Sequence, residues 1–406
     1  MNKSIGNNLP RIKVQNQFSI KETIYKSGPI SRVEVAERLG LTLPTITTSV
    51  SNMIHKGLFK EVELSPEVKT LGRRAMLVDI DEGYGCFLGI EIRGSFRHAV
   101  IVDMKGGVKE SLSDFTPFSE YEDVVENASS LFFSLLGKAG MKKEDIKAVG
   151  LTIPGIVDRE KNCLVIHPGY RWANKALSDD FRSHTGYEGE IHVENNTIAR
   201  AYAMSLFSKD EISDVDSLAY MYVSTGIACP LLSSIGSRFG EVTGDGEVGH
   251  MVMNPEGPMC VCGNRGCLES YSSEKSIIDR AEHLSSSSDI LSSIRKEKGS
   301  LNIEDIVDAA QKGDEISDSL IRNAIKYLAL AIANINNFVR PECIAVECAL
   351  FSKEEYRNLL LSTVQDNLYR IVNPKNRFIF LPKDELRGAK GAAAIAIMHS
   401  LEEYIQ

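Results

Sequence analysis

The sequence of 406 residues lacks any apolar run close to the roughly 20 residues that a membrane-spanning helix requires. Its start, MNKSIGNNLPRIKVQ, also lacks the apolar core of a secretory signal. We therefore expect a cytoplasmic protein with no membrane partner, in which cysteines remain reduced or bind metal. A content of 43% hydrophobic and 25% charged residues is that of an ordinary globular chain, and the length allows two or three domains.

Aspartate is absent from residues 1–75, which carry 12 Lys and Arg against 6 Glu, a net charge of +6. The whole chain has a net charge of −9, so residues 76–406 carry −15. A basic head on an acidic body predicts that the head meets a polyanion and that the body does not. A basic surface without such a partner is the alternative.

The head, residues 1–80, is predicted to contain three short helices. The first covers about Asn16–Lys26. Ser31 followed by Glu34 is the pattern of a capping box, and it predicts a second helix that stops at Gly40. The residues expected on the buried side of this helix are Val33, Val35, Ala36 and Leu39.

The third helix, capped by Thr42 and ended by Gly57, has two unlike faces. Its predicted inward stripe is Leu43, Ile46, Val50, Met53 and Ile54. Its other face is short, polar and almost uncharged: Pro44, Thr45, Thr47, Thr48, Ser51 and Asn52. Small hydroxyl and amide groups suit base edges and phosphates in a major groove, so we predict that this face, with Thr42 and Arg32, contacts DNA in a helix-turn-helix arrangement.

Two strands around a polar tip are predicted next, Leu58–Val62 and Ala75–Ile80, which would form a wing. Arg73 and Arg74 lie just before the second strand. Arginines on such a tip suit a narrow minor groove, although phosphate contact or solvation is the alternative. The head is therefore predicted to be a winged helix-turn-helix that binds double-stranded DNA. A three-helix module that does not bind DNA is the competing interpretation.

From Gly85 onward, short strands alternate with helices, which indicates an α/β body. Its predicted strands are Cys86–Ile92, His98–Asp103, Ile146–Ile153, Ile191–Glu194, Ala219–Val223 and Ile344–Val346. Its predicted helices are Tyr121–Gly137, Ser272–Leu284, Asp314–Val339 and two that begin at Thr197 and Ala389.

Three thiols and one imidazole lie within eighteen residues: His250, Cys260, Cys262 and Cys267. This set can complete the tetrahedral shell of Zn²⁺ with no open position, so we predict a structural zinc site. Such a site holds the chain in place and does not activate water. Ordinary buried cysteines are the alternative.

The sequence resembles the ROK family, whose name joins repressors, open reading frames and sugar kinases. The resemblance covers nearly the whole chain and rests on Gly150–Asp158, Glu194–Asn196, Gly246–His250 and Cys260–Glu269. The head is similar to that of the repressor branch, which includes the N-acetylglucosamine and xylose repressors. The resemblance implies a homodimer or a dimer of dimers on a pseudo-palindromic operator.

The resemblance also implies a body with two actin/hexokinase-like (ribonuclease H-like) α/β lobes and a cleft between them. Lobe 1 would cover residues 81–205, and the C-terminal helix at about 389–406 would return to it. Lobe 2 would cover residues 206–388 and hold the zinc site.

Sugar kinases of the family have a phosphate loop, Asp-x-Gly-Gly-Thr, and an Asn-Asp pair whose Asp accepts the sugar proton. Here the loop positions are Glu91–Ser95, with Arg93 in place of a glycine, and the pair is Asn195-Asn196. A carboxamide at Asn196 cannot act as that base. Glu347, in the second nucleotide loop, would repel a phosphate. We therefore predict that kinase activity is lost and that the chain has no catalytic residue.

Positions that contact hexose hydroxyls in relatives correspond to Asn195, Glu247, His250 and Glu269, with Asn196 as an altered partner. His250 would hold zinc through one ring nitrogen and face the sugar through the other. The alternative is that these residues only maintain the structure of the cleft and do not bind a sugar.

Our leading hypothesis is a repressor of carbohydrate uptake or catabolism genes that a sugar or sugar phosphate releases from its operator. A sugar kinase with a regulatory head and a repressor controlled by a protein partner remain as alternatives.

Overall fold

The computed structural model describes residues 9–63, 76–94, 96–167, 169–212, 215–233, 244–369 and 376–403. Its helices are α1 (Leu9–Ser27), α2 (Arg32–Leu39), α3 (Leu43–His55), α4 (Tyr121–Ala139), α5 (Leu177–Thr185), α6 (Asn196–Phe207), α7 (Lys209–Ile212), α8 (Glu269–Ser272), α9 (Glu274–Leu284), α10 (Asp289–Lys298), α11 (Ile303–Gln311), α12 (Glu315–Phe338), α13 (Glu354–Asn367) and α14 (Arg387–Glu402).

Its strands are β1 (Ile30–Ser31), β2 (Phe59–Glu63), β3 (Met76–Ile80), β4 (Cys86–Arg93), β5 (Phe96–Val102), β6 (Val108–Asp114), β7 (Ile146–Ile153), β8 (Ile156–Asp158), β9 (Cys163–Ile166), β10 (Ala173–Lys175), β11 (Glu190–Asn195), β12 (Ser217–Val223), β13 (Ile227–Ala228), β14 (Leu231–Ser233), β15 (Cys343–Glu347) and β16 (Arg377–Leu381). The chain forms two compact units, residues 1–214 with 385–406, and residues 215–384. Among the described helices, none has the length and apolar character needed to span a membrane.

The head of the first unit consists of α1 to α3 and an antiparallel sheet in the order β1-β3-β2. The capping box at the start of α2 is present, because Glu34 N donates to Ser31 Oγ at 3.2 Å and Ser31 N donates to the Glu34 carboxylate at 3.0 Å. Gly40 ends that helix in the left-handed conformation, with φ of 62°. Three helices followed by a hairpin fit a winged helix-turn-helix head.

Three details of the predicted head were wrong. Helix α1 begins at Leu9 and not near Asn16. Val33 is 52% exposed, because it lies two positions, or about 200°, around α2 from buried Val35. Leu43 is 44% exposed, because it is the first residue of α3 and lies beyond the edge of the head's core.

The main sheet of the first unit has the strand order β11-β7-β4-β5-β6. β4, β7 and β11 are parallel, while β5 is antiparallel to both β4 and β6. The register places Glu91, Thr152 and Glu194 side by side near the carboxyl ends of the three parallel strands. This end of an open α/β sheet is where such folds commonly bind ligands.

Helix α14 lies directly against the backbone of this sheet. A Cβ atom at Gly150 would lie 1.8 Å from the carbonyl oxygen of Ala392, and one at Gly89 would lie 2.1 Å from that of Ala389. The helix can approach so closely only because glycines on the strands face alanines on the helix. This contact explains why the last helix is rich in alanine and glycine.

We expect Gly150→Ala to lower the free energy of unfolding of the first unit by about 3 kcal/mol, since the methyl group cannot fit without moving α14. Gly137→Ala is the matched control, because a Cβ at this exposed position of α4 meets nothing within 4 Å. It should stabilise the helix by about 0.5 to 1 kcal/mol. Urea unfolding of both variants measures the difference, and equal midpoints would contradict the close packing.

The second unit contains a sheet in the order β13-β12-β15-β16, in which β12, β15 and β16 are parallel and β14 pairs with β12. Its core includes the buried faces of α9, α11, α12 and α13. The predicted helix at Ser272–Leu284 is α9, which begins at Glu274 because Ser273 is extended and caps it by accepting from Ser276 N.

Candidate functional sites

The exposed side of α3 carries the six residues predicted to face DNA. Pro44, Thr45, Thr47, Thr48, Ser51 and Asn52 are all exposed. Ile46, Val50 and Met53 are completely buried on the opposite side. Thr42 caps the helix, since Thr45 N donates to its Oγ1 at 3.4 Å. The result is an uncharged surface of small hydrogen-bonding groups on a helix fixed by its core face.

Arg32, one of the three arginines predicted to contact DNA, is paired with a carboxylate of the head. Arg32 forms an ion pair with Glu61 of β2, with 2.7 Å between Nη2 and Oε1. A DNA phosphate would therefore have to compete with Glu61 for this guanidinium. Arg73 and Arg74 lie outside the described residues.

The predicted metal ligands His250, Cys260, Cys262 and Cys267 form one cluster in the second unit. Their candidate ligand atoms all lie within 4.8 Å of one another. The Cys262 and Cys267 sulfurs are 3.7 Å apart, as are Cys260 Sγ and His250 Nδ1. Two sulfurs bound to one tetrahedral Zn²⁺ at about 2.3 Å would be about 3.8 Å apart. The four residues can therefore hold a metal ion.

The loop around this cluster is set by backbone contacts. Gly266 has φ of 68°, and a Cβ there would lie 1.6 Å from the carbonyl oxygen of Asn254. Cys260 N donates to the Asn264 carbonyl at 2.8 Å, which closes the turn between the first two thiols and the third. The backbone N–H of Asn264 lowers the pKa of the Cys262 thiol, while burial raises that of Cys267 to about 12.

Two carboxylates, Glu247 and Glu269, flank His250. Although Glu247 is exposed, partial loss of hydration raises the pKa of its carboxyl, with a further rise from Glu269 and an opposing effect from His250. Glu269 Oε2 accepts from Ile227 N at 3.2 Å. Because His250 directs Nδ1 toward Cys260, its Nε2 is the ring nitrogen left for another partner. The cluster thus combines metal-binding groups with acceptors suited to hydroxyl groups.

In the first unit, the side chain of Asn195 makes most of its hydrogen bonds to backbone groups of the fold. Its Oδ1 accepts from Thr197 N at 2.8 Å and Ile198 N at 3.3 Å, which caps α6. Its Nδ2 donates to the Gly155 carbonyl at 2.9 Å, so one N–H remains for a ligand. Asn196 is the first residue of α6 and is 7% exposed.

A buried ion pair that the sequence did not suggest lies beside these residues. Arg200 of α6 donates to Glu91 Oε1 at 2.7 Å, and both side chains are at least 97% buried. The resemblance to the family predicted Glu91 at the first position of the kinase phosphate loop. The available signal was Arg200 itself, the single charged residue of α6.

Glu347 is also part of a buried contact. It is 4% exposed and accepts from the Tyr220 hydroxyl at 2.5 Å, between the neighbouring strands β15 and β12. Its carboxylate therefore belongs to the interior of the second unit, at the end of β15.

A winged helix-turn-helix head joined to an α/β body is the architecture of a DNA-binding regulator. The profile of the ROK family matches residues 87–399, and the chain belongs to this family. It is 24% identical over 394 residues to the xylose repressor of Bacillus subtilis, covering 96% of this chain and 97% of that protein. It is 24% identical over 344 residues to the N-acetylglucosamine repressor of Escherichia coli O6:H1, covering 84% and 81% respectively.

The fold is also that of a solved ROK family transcriptional regulator, a homologue of the Escherichia coli MLC protein. The TM-score is 0.78 at 23% identity, over 96% of this chain and 97% of that one. The predicted fold class, a winged helix-turn-helix head followed by a hexokinase-like ROK body, is confirmed. The predicted resemblance to the repressor branch is confirmed as well.

Proposed function

We propose that this protein is a sugar-responsive repressor that binds double-stranded DNA through α3 and releases it when a sugar occupies the body. The observation that carries the proposal is the exposed polar face of α3, on a chain whose repressor relatives match it over most of its length. A homodimer, or a dimer of dimers, would place two such helices in successive major grooves of a pseudo-palindromic operator. DNA binding would place the protein in the cytoplasm. The head would be residues 1–80, and the body would divide as predicted from the sequence.

In this proposal Zn²⁺ is held by His250, Cys260, Cys262 and Cys267 as a structural ion. Four protein ligands leave no position for a reactive water, so the ion fixes the loop and takes no part in catalysis. The Sγ···Sγ distance of 3.7 Å between Cys262 and Cys267 supports a tetrahedral site.

The proposed sugar contacts are Asn195 and Asn196 in the first unit, and Glu247, His250 and Glu269 in the second. Carboxylate oxygens accept from sugar hydroxyls, and the imidazole Nε2 and the remaining N–H of Asn195 can act as donors. Sugar or sugar phosphate binding lowers operator affinity only if the ligand prefers the DNA-incompetent conformation.

Loss of kinase activity is part of the proposal. Arg200 neutralises Glu91 at the phosphate-loop position, so the carboxylate is already paired with a cation. The Tyr170 hydroxyl donates to the Gly94 carbonyl of the same loop at 3.2 Å, which places an aromatic side chain where a phosphate would approach. Asn196 supplies no general base.

Polar contacts within the first unit connect the head to the body. Lys21 of α1 is fully buried and donates to the Leu401 carbonyl at 3.0 Å at the end of α14. Burial lowers the pKa of this ammonium to about 8. The Tyr25 hydroxyl donates to the Met104 carbonyl at 2.6 Å, and Lys105 pairs with Asp79 of β3 at the same distance. A shift of α14 on the sheet would therefore reach the head.

The proposal is tested by selecting DNA from fragments of the source genome with purified protein and measuring the affinity of the enriched fragment in gel-shift assays. We expect affinity for the enriched fragment to exceed that for a scrambled one by about 10³-fold or more. Equal affinity for both fragments would refute the repressor.

The kinase alternative is tested on the same sample by ADP release with ATP and a hexose panel, which we expect to be at background. Selective DNA binding without a response to any sugar would favour control by a protein partner.

A further inference from the structure

Phe118, Tyr170 and Trp172 form a partly exposed aromatic stack in the first unit. The Tyr170 and Trp172 rings are stacked at 4.5 Å with 12° between their planes, and Phe118 lies 5.4 Å and 5.9 Å from them. Tyr170 is 36% exposed, and Trp172 and Phe118 are partly buried against the core. Large aromatic surface that reaches solvent beside a polar site commonly marks a ligand contact.

His167 forms hydrogen bonds with the residues that carry the stack. Gly169 N and Tyr170 N donate to His167 Nδ1 at 3.1 Å and 3.2 Å, and His167 N donates to the Trp172 carbonyl at 2.8 Å. Burial lowers the pKa of His167, which keeps the ring neutral and able to accept. Arg171 is held in the left-handed conformation with φ of 58°, a cost that functional segments often bear. A fixed segment presents its rings without an ordering cost on binding.

The stack lies next to a proposed sugar contact. Asn195 Nδ2 donates to the Gly155 carbonyl, and Gly155 lies so close to His167 that a Cβ there would be 3.2 Å from its Cα. The His167 ring is 5.0 Å from that of Tyr170 and 5.3 Å from that of Trp172. These contacts connect Asn195 to the stack through Gly155 and His167, and a single ring held at Asn195 leaves the stack for a second group.

We propose that the aromatic stack binds a second ring of the effector, which makes the effector a disaccharide or a longer glycoside. The inference rests on the proposed sugar function of Asn195. The flat C–H face of a pyranose is apolar and packs against an aromatic ring, while hydroxyl groups at its edge remain in water. A monosaccharide would fill only the polar part of the site.

The chain's single tryptophan, Trp172, reports directly on this surface. Fluorescence and calorimetry are measured with three pairs: xylose and xylobiose, glucose and cellobiose, and N-acetylglucosamine and its β-1,4 dimer. In at least one pair we expect the disaccharide to bind about tenfold more tightly than the monosaccharide. It should also shift Trp172 emission and shield it from acrylamide, while the monosaccharide leaves the emission unchanged.

Tyr170→Ala should reduce the affinity for that disaccharide to the level of the monosaccharide and leave monosaccharide affinity unchanged. Tyr170→Phe keeps the ring and should bind as the unmodified protein does. Phe115→Ala is the matched control, since Phe115 is 65% exposed and lies outside the stack. It should bind both sugars normally.

Two results overturn the inference in different ways. Equal affinity for both sugars of every pair, with unchanged Trp172 emission, would mean that the stack only packs against the core, and the sugar-responsive repressor would stand. The absence of binding by all six sugars would reject the proposed sugar site and the stack with it.

Discussion

Replacing Thr47 and Thr48 with glutamate should weaken operator binding at least about 100-fold, equivalent to about 2.7 kcal/mol. Both side chains are exposed on α3, so two carboxylates would face the phosphates and the acceptor-rich base edges of the groove. The free energy of unfolding should change by less than about 0.5 kcal/mol, as is usual for exposed positions. Fluorescence anisotropy with the enriched fragment measures the affinity.

Ser293→Glu, on the exposed side of α10, is the control for added charge and should bind DNA almost as the unmodified protein does. If the double substitution left operator affinity intact, α3 would not be the helix that reads the DNA. A loss of affinity accompanied by a lower unfolding midpoint would instead indicate damage to the head's core.

Cys262→Ser and His250→Ala should each remove the bound zinc and the sugar response together. We expect about one zinc ion per chain in the unmodified protein and almost none in either variant, because losing one of four ligands opens the closed shell of a structural ion and weakens its binding. Without the ion, the loop between Glu247 and Glu269 loses its anchor, so sugar affinity should fall by about 10- to 100-fold. Mass spectrometric metal analysis and calorimetry check the two effects.

Cys262 is the informative cysteine, since it is exposed and its loss creates no cavity. Cys163→Ser, at a partly buried position of β9 outside the cluster, should keep both zinc and sugar binding. A zinc-free variant that still responds to sugar would break the proposed link between the metal loop and the effector.

Local patterns in the sequence were enough to predict the features that depend on neighbouring residues. The capping box of Ser31 and Glu34 spans four residues, and the metal cluster spans eighteen residues whose ligand spacing constrains the loop. The buried stripe of α3 follows from helical periodicity, and only its first residue, Leu43, was wrong.

Features that join distant segments could not be predicted in this way. The Arg200–Glu91 pair joins residues 109 positions apart, and the local sequence around either residue does not predict its partner. The role of Asn195 as a helix cap was not predicted, because the family motif suggested only a sugar contact. The aromatic stack depends on Phe118 meeting a segment more than fifty residues later.

The most direct test of the proposed repressor measures the affinity of the full-length protein for its enriched operator fragment with and without a saturating sugar. The sugar is the one that binds most tightly in calorimetry. The account predicts that it weakens operator binding by at least about tenfold, a coupling of about 1.4 kcal/mol. Equal operator affinity in the presence and absence of a sugar that demonstrably binds would contradict it.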